Sequence, residues 1–339
     1  MITNIDGSPR PVLEVDGLRK EYRLRGGGGE RRTLTAVDDV SFRVLPGETV
    51  ALVGESGSGK STIARCITRL TDPTSGTVLV DGVSVDSMPR RKLSSVYSTL
   101  QMVFQDPTSS LNPRRTVSAT LDEPLRLHTT LTKARRVERI RELLHDVELS
   151  ESLMGRLPRQ LSGGQRQRLG IARALAVEPK AILLDEPTAS LDVSIRGQII
   201  ALLERLQSEL GLAYLFISHD LGVVRRISDR VLVMYLGGIV EEGPTSEVFA
   251  DPRHPYTRSL LSSAPVVAHG RERTRLRLVG EMPSPLNIPA GCRLVGRCPL
   301  AVAQCSQTRP PLLEVSDDHR AACPVTTPIR GIPDAVPAH

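Results

Sequence analysis

Thr49-Val-Ala-Leu-Val53 runs without a break into Gly54-Glu-Ser-Gly-Ser-Gly-Lys-Ser-Thr62, and this passage from an apolar strand through glycines into a helix start decides the fold. Residues 54–61 fit G-x-x-x-x-G-K-[ST], in the strand-to-helix context that a phosphate loop requires. Glycines at 54, 57 and 59 let the backbone bend until successive N–H groups face inward, and the helix beginning near Lys60 adds a partial positive charge at its N-terminus. Gly54, Ser56, Gly57, Ser58, Gly59 and Thr62 are therefore expected to line bound phosphate. Lys60 is expected to reach the β/γ-phosphates of a nucleotide, and the Ser61 hydroxyl to hold Mg²⁺. The bland alternative is a glycine-rich turn that merely precedes a helix. Gly26 to Gly29 has no strand-to-helix context and reads as such a turn, a flexible loop between two early strands.

Working outward, 339 residues of which 40% are hydrophobic can bury one large core and a smaller appendage. The first ten residues carry neither a basic start nor an apolar stretch, so no signal peptide is readable and a cytoplasmic location is expected. The longest apolar runs, such as Leu212 to Ile217, are strand-sized and far short of a membrane span. A membrane role would run through a partner. The net charge of +6 is spread along the chain and reads as solvated surface, with no nucleic-acid partner expected.

Short strands are predicted at Val12 to Val15, Val37 to Val44, Thr49 to Val53, Thr77 to Val80, Gln101 to Phe104, Ala181 to Leu184, Leu212 to Ile217 and Val231 to Tyr235. Strand signals vanish between 106 and 165. There Thr132 predicts the N-cap of a helix on which Ala134, Val137, Ile140, Leu143, Leu144 and Val147 recur at helical spacing, and the stretch through Leu127 suggests another. The pattern is an α/β core with an inserted helical segment.

Leu161-Ser-Gly-Gly-Gln165 precedes a further helix, and Ser162 with Gln165 has the S-x-x-Q spacing of a capping box. Ser162 can simply cap; alternatively Gly163 and Gly164 bare backbone N–H groups at a helix N-terminus, an anion site whose anion the chain does not name. Asp185 ends a buried-looking strand, where a carboxylate needs a partner such as Mg²⁺. Glu186 follows it and can polarise an attacking water. Tyr22, after a strand, suits either adenine stacking or packing.

In this order the motifs resemble the nucleotide-binding subunits of ABC transporters over roughly residues 12 to 250: the phosphate loop, Gln105 in Val-Phe-Gln-Asp, the signature at 161 to 165, Ile182-Leu-Leu-Asp-Glu186, Ser190-Leu-Asp192 and Ser218-His219. The resemblance implies a P-loop NTPase, RecA-like core with an antiparallel β-subdomain and a helical subdomain at about 106–165. It implies two subunits sandwiching two ATP molecules, the signature of one meeting the γ-phosphate held by the other. It further implies that Glu186 and His219 act with Lys60 in ATP hydrolysis, with His219 on the γ-phosphate, Gln105 beside Asp185 and Ser61 at Mg²⁺, and Asp192 at the dimer seam. Val103-Phe-Gln-Asp-Pro107 with Ser110-Leu-Asn-Pro-Arg114, Leu191-Asp-Val-Ser194, Phe216-Ile-Ser-His-Asp-Leu221 and Asp251-Pro-Arg-His-Pro-Tyr-Thr257 are similar to the oligopeptide/dipeptide importer ATPases, and to the F-type partner of their ATPase pair. Residues 251–339 would then be that branch's C-terminal extension. A second, different ATPase, two membrane permease subunits and an extracytoplasmic binding protein follow as implied partners, at the cytoplasmic face of the cell membrane. The same branch serves nickel, glutathione and oligosaccharide importers. A soluble ABC ATPase acting on nucleic acid or ribosomes shares the ATP motifs, but this chain has neither a long coiled-coil insertion nor a second ATPase half.

Cys66 sits alone in the helix after the phosphate loop and reads as a small buried hydrophobe. Cys292, Cys298, Cys305 and Cys323 form a group in the tail. Disulfides do not suit a cytoplasmic chain, and the paired C-x₂-C knuckles of structural zinc are missing. Cys-Pro at 298 to 299 and 323 to 324 suits a [4Fe-4S] cluster, which the family resemblance also implies, with zinc and free thiols as alternatives. Such a cluster would staple a Pro-rich tail with little core of its own.

Overall fold

In the computed structural model, residues 9–25, 31–106, 110–263, 276–316 and 318–326 are described. Gly26 to Gly29, Pro107 and the last residues of the tail lie outside them. The chain divides into two compact units. The first comprises 1–18, 41–50 and 64–218, and the second comprises 19–40, 51–63 and 219–339.

Two long strands, β1 (Leu13–Arg25) and β2 (Arg31–Val44), run through both units. With β4 (Ser75–Val80) and β5 (Val83–Ser84) they make a four-stranded sheet in the order β2-β1-β4-β5, the expected β-subdomain. Between them in sequence come β3 (Thr49–Val53), buried at every position, and α1 (Lys60–Ile67). Cys66 is fully buried in α1, as expected.

In the first unit α2 (Ser94–Thr99) leads into β6 (Leu100–Val103), which pairs in parallel with β7 (Ala181–Asp185). That strand pairs in parallel with β8 (Ala213–Ile217). All five positions of β7 and of β8 are buried, so apart from Asp185 at the end of β7 both read as continuous apolar runs with no alternation. The inserted segment is helical as predicted. It holds α3 (Val117–His128), capped by Thr116, and α4 (Lys133–Asp146), whose N-cap Thr132 accepts from the Arg135 N–H. Ile140, Leu143 and Leu144 of α4 are buried, one apolar stripe at helical spacing. Arg136 and Asp122 join the two helices at 2.6 Å. Beyond them lie α5 (Gly163–Leu175) and α6 (Val193–Leu210), the latter ended by Gly211 in the left-handed region (φ 66°).

In the second unit α7 (Leu221–Ile227) starts at Asp220, whose carboxylate accepts from the N–H groups of Gly222 and Val223. Antiparallel β9 (Arg230–Tyr235) and β10 (Gly238–Pro244) follow, then α8 (Thr245–Ala250) and α9 (Pro255–Ser263). The tail adds α10 (Ala303–Gln307), β11 (Leu313–Ser316) and β12 (His319–Ala321).

The tail departs from expectation, because it is sewn into a sheet. β12 pairs with β10, Glu241 opposite Ala321, and β11 pairs with β12. Glu241 is fully buried in β10 and accepts from the backbone N–H groups of Arg253 (2.6 Å) and His254 (2.8 Å); His319 Nε2 lies 2.8 Å from it. A second anchor is Asp38 on β2, 6% exposed. It accepts from Arg293 Nη2 at 2.9 Å and Arg309 Nη1 at 2.7 Å, with Arg19 at 3.2 Å. Burial alone would push the Asp38 carboxyl upward, but Arg293 and then Arg309 hold it below its ordinary value.

Candidate functional site

The phosphate loop lies wholly in the second unit, and its glycines are there by necessity. All three have positive φ: Gly54 153°, Gly57 81°, Gly59 112°. A Cβ on Gly54 would stand 2.2 Å from the Met234 carbonyl oxygen, and one on Gly59 2.2 Å from that of Ala36. Both contacts are with backbone and cannot yield. The loop is also gripped from outside, since the Gly237 N–H donates to the Ser58 carbonyl at 2.9 Å. Lys60, 6% exposed, points its ammonium into the loop, donating to the carbonyls of Gly54 (2.8 Å) and Glu55 (2.9 Å), with Ser58 Oγ at 3.4 Å. Ser61 and Thr62 occupy the first turn of α1, where N–H groups are directed toward the loop. Tyr22 on β1 is half-buried, with the Lys20 ammonium 4.9 Å from its ring centroid.

Two contacts to this loop were not legible in the sequence. The Glu55 N–H donates to the Tyr256 hydroxyl at 2.7 Å, and the Glu55 carboxylate pairs with Arg297 at 3.4 Å. His219, in the same unit, is exposed in the turn between Ile217, where the predicted strand ends, and α7.

In the first unit Asp185 closes β7 and is 7% exposed. Glu186 follows in the left-handed region (φ 46°), its N–H donating to the Ile217 carbonyl at 2.9 Å. A non-glycine residue held there carries strain that the surrounding strands must offset. Gln105, just past β6, donates from its amide nitrogen to Glu186 Oε2 at 3.0 Å. Adjacent parallel strands thus bring together two of the predicted residues that lie 81 apart in sequence.

The signature closes the capping box its spacing predicts: Ser162 Oγ accepts from the Gln165 N–H at 3.2 Å and Gln165 Oε1 from the Ser162 N–H at 2.9 Å. Gly163 and Gly164 form the first turn of α5. A Cβ on Gly164 would stand 2.8 Å from Ile195 Cγ2, so helix packing also requires this glycine. Asp192 is exposed at the N-cap position of α6 but makes no side-chain cap bond, which removes capping as its role.

Cys292, Cys298, Cys305 and Cys323 line one cavity of about 10 Å³, together with His254. Burial, with the other three cysteines adding, pushes the Cys292 thiol up to about 11, and burial raises Cys298 as well. Backbone hydrogen bonds at Leu294 and Leu300 favour the thiolates of Cys292 and Cys298 respectively. As the side chains stand, no group of three or more His, Cys, Asp or Glu among the described residues is arranged to hold a metal ion.

Comparison with known proteins supplies the family. The ABC transporter family model matches residues 37–189, and that of the oligopeptide/dipeptide transporter C-terminal region matches 240–305. The chain is 48% identical over 94% of its length, and 90% of the relative's, to a probable peptide ABC transporter ATP-binding protein, y4tS, of Sinorhizobium fredii. It is 48% identical to the oligopeptide transport ATP-binding protein AppF of Bacillus subtilis, over 92% of this chain and 96% of that one. Among solved structures, a post-hydrolysis dimer of the ATP-binding cassette MJ0796 bound to ADP and Pi aligns with a TM-score of 0.62 and 32% identity, covering 69% of this chain and 98% of the other. CbiO1 of Clostridium perfringens, part of an ABC transporter complex, aligns at 0.61 with 30% identity, over 71% and 91%. With strand-embedded phosphate loop, signature helix and Asp185-Glu186 in place, identity approaching one half along nearly the whole chain means that this protein belongs to the ATP-hydrolysing subunits of ABC transporters, the kind bearing the oligopeptide/dipeptide transporter C-terminal region.

Proposed function

We propose that the chain powers a membrane importer of peptides, acting through ATP-driven closure against a second, different ATPase subunit. The observation that carries the reading is Glu186, set beyond buried Asp185 and held by Gln105 at 3.0 Å, in a chain whose relatives are named for peptide and oligopeptide transport. Glu186 polarises the attacking water, His219 contacts the γ-phosphate, and Lys60 with Gly54, Ser56, Gly57, Ser58, Gly59 and Thr62 holds the phosphates. Ser61, Asp185 and Gln105 hold Mg²⁺. With the Gln105 amide nitrogen on Glu186, its oxygen is the atom left to offer the cation. Tyr22 stacks the adenine, and the signature residues Ser162, Gly163, Gly164 and Gln165, with Asp192, face the partner's nucleotide. The nucleotide-binding part comprises 12–250, with its helical subdomain at about 106–165, and the extension comprises 251–339. Two permease subunits anchor the pair at the cytoplasmic face of the membrane, and an extracytoplasmic binding protein selects the cargo.

The four tail cysteines hold a [4Fe-4S] cluster in this reading, with zinc as the alternative. Their convergence and the backbone hydrogen bonds at Leu294 and Leu300 support a thiolate-bound cofactor. A bound cluster would supply a structural cross-link between the turn at 292–298, α10 and the segment just past β12. Iron and acid-labile sulfide in anaerobically purified protein test this, and stoichiometric zinc without sulfide would select the alternative.

The test of the transport role is to tag Glu186→Gln, trap it with Mg·ATP in native membranes and identify what copurifies. Two permease subunits with a second ATPase are expected, and the accompanying binding protein can be screened against peptides, nickel, glutathione and oligosaccharides. Recovery from the soluble fraction with ribosomes or nucleic acid would overturn it.

A further inference from the structure

We propose that the C-terminal extension sets the nucleotide affinity of the phosphate loop through two positioning residues, Tyr256 and Arg297. The proposal rests on Gly54–Thr62 being the site of the nucleotide's phosphates, and goes beyond it by assigning control of that site to segments about 200 and 240 residues away in sequence.

Tyr256 stands at the start of α9 with its side chain fully buried. Its hydroxyl accepts the Glu55 N–H at 2.7 Å, and its ring leans on Tyr235 with centroids 4.6 Å apart. Its own N–H donates to His254 Nδ1 at 3.1 Å, and the His254 N–H donates to buried Glu241, which also meets His319 of β12. A connected set of hydrogen bonds, part-buried at Glu55 and buried beyond it, therefore joins the second residue of the phosphate loop to β12. The Glu55 N–H is committed outward to this set, so the inward curl of N–H groups begins after it.

Arg297 approaches the same residue from the cysteine loop. Its guanidinium is 12% exposed, 3.4 Å from the Glu55 carboxylate and from the Tyr235 hydroxyl, and 5.9 Å from the Tyr235 ring centroid. Its backbone is fixed by that loop: the Arg297 and Cys298 N–H groups both donate to the Leu294 carbonyl, at 2.8 and 2.9 Å, and the Arg297 carbonyl accepts from the Val279 N–H at 3.0 Å.

Glu55 explains why such a brace is needed. It places a carboxylate inside a loop that must hold a polyanion, and like charge there opposes binding. Arg297 offsets that charge, while Tyr256 holds the backbone of the same residue in place. Since Arg297 directly precedes Cys298, any rearrangement of the cysteine loop is transmitted to the phosphate loop as an unmasked Glu55.

The experiment is titration of the full-length chain with a fluorescent ATP analogue and Mg²⁺, alongside melting temperature and ATPase kinetics. Arg297→Gln is expected to raise Kd about fivefold, the scale of an ion pair worth about 1 kcal/mol, with the loss in KM rather than kcat. Arg297→Lys should retain most of the affinity, and Glu55→Gln combined with Arg297→Gln should restore Kd to within about twofold of wild type, because the offending charge is gone. Tyr256→Phe, which keeps the ring, should raise Kd about fivefold by leaving the Glu55 N–H without its acceptor. Equal losses from Arg297→Gln with and without Glu55 charge, or a lowered melting temperature at unchanged Kd, would overturn the proposal. Lys60→Ala separates the two levels. If wild type itself binds no nucleotide, the phosphate-loop reading fails; if wild type binds, Lys60→Ala does not, and both brace variants match wild type, only the brace fails.

Discussion

Replacing Asp38 by alanine should loosen the tail by about 3 kcal/mol, a value that follows from its partners. Removing one member of a buried ion pair costs about 3–5 kcal/mol, because the other charge is left without compensation. Arg293, 7% exposed, keeps the Leu236 carbonyl at 2.6 Å after the substitution, which places the cost at the lower end of that range. Arg309 and Arg19 have side chains 42% and 45% exposed and are screened by water, so together they add less than about 1 kcal/mol. A loss of about 3 kcal/mol is about a hundredfold in the local opening equilibrium. Native-state hydrogen exchange should therefore show about hundredfold faster exchange for amides around 292–305, while β7 and β8 of the other unit keep their protection. The effect has a definite pH sense. The Asp38 carboxyl is held below its ordinary value, so its stabilisation is complete above the unfolded value of about 3.9 and is lost as pH falls through the folded one. The gap between wild type and variant should stay constant from about pH 8 to pH 5 and close below about pH 4. An acceleration under about fivefold at neutral pH, or a gap that persists unchanged at pH 3, would refute the reasoning.

Three further outcomes are expected. Glu186→Gln should leave nucleotide affinity intact and lower turnover by roughly 10²-fold or more, the scale of one lost electrostatic group, which phosphate-release kinetics can check against near-normal rates. Its stability cost should be small, since a glutamine retains a hydrogen bond to Gln105 at this solvent-accessible position. Lys60→Ala should weaken nucleotide binding itself, and an unchanged Kd in equilibrium titration would contradict the role given to its ammonium. Gly59→Ala should abolish nucleotide binding and lower the melting temperature, because its methyl would stand 2.2 Å from the Ala36 carbonyl oxygen and 2.7 Å from Met234 Cε; a variant that binds ATP normally would show that the loop can retreat.

The parts of the fold that sequence made visible are those where one local rule dominates. Thr49–Val53 reads as a strand because a β-branched threonine and four apolar residues abut a glycine turn, and the structure returns the same bounds. Thr132 and Ser162 read as helix starts because a hydroxyl three residues before a free N–H is a local geometry, and both caps are present. Local rules fail where polarity is compensated from far away. β10 was missed because Glu241 and Glu242 interrupt its apolar pattern, although both are buried: backbone N–H groups and His319 compensate Glu241, and Arg320 pairs with Glu242. The same reason hid Asp38, two of whose three arginines lie more than 250 residues downstream, and the contacts of Tyr256 and Arg297 with Glu55. In the candidate site the residue types and their order were readable, as was the convergence expected of four cysteines. The hydrogen bond between Gln105 and Glu186 was not, since it depends on which strands lie side by side.

The burial of Glu241 also bears on how the polypeptide can be shortened. A stop codon placed at the end of the nucleotide-binding part would delete His254, His319 and the N–H groups of 253 and 254 together, leaving a carboxylate in the interior of β10 with its acceptors unmet. Trimming to the ATPase portion alone should thus yield aggregation or proteolytic loss rather than a minimal enzyme. Insertions and fusions are better directed to the exposed turn ahead of α4 than to the region beyond β10.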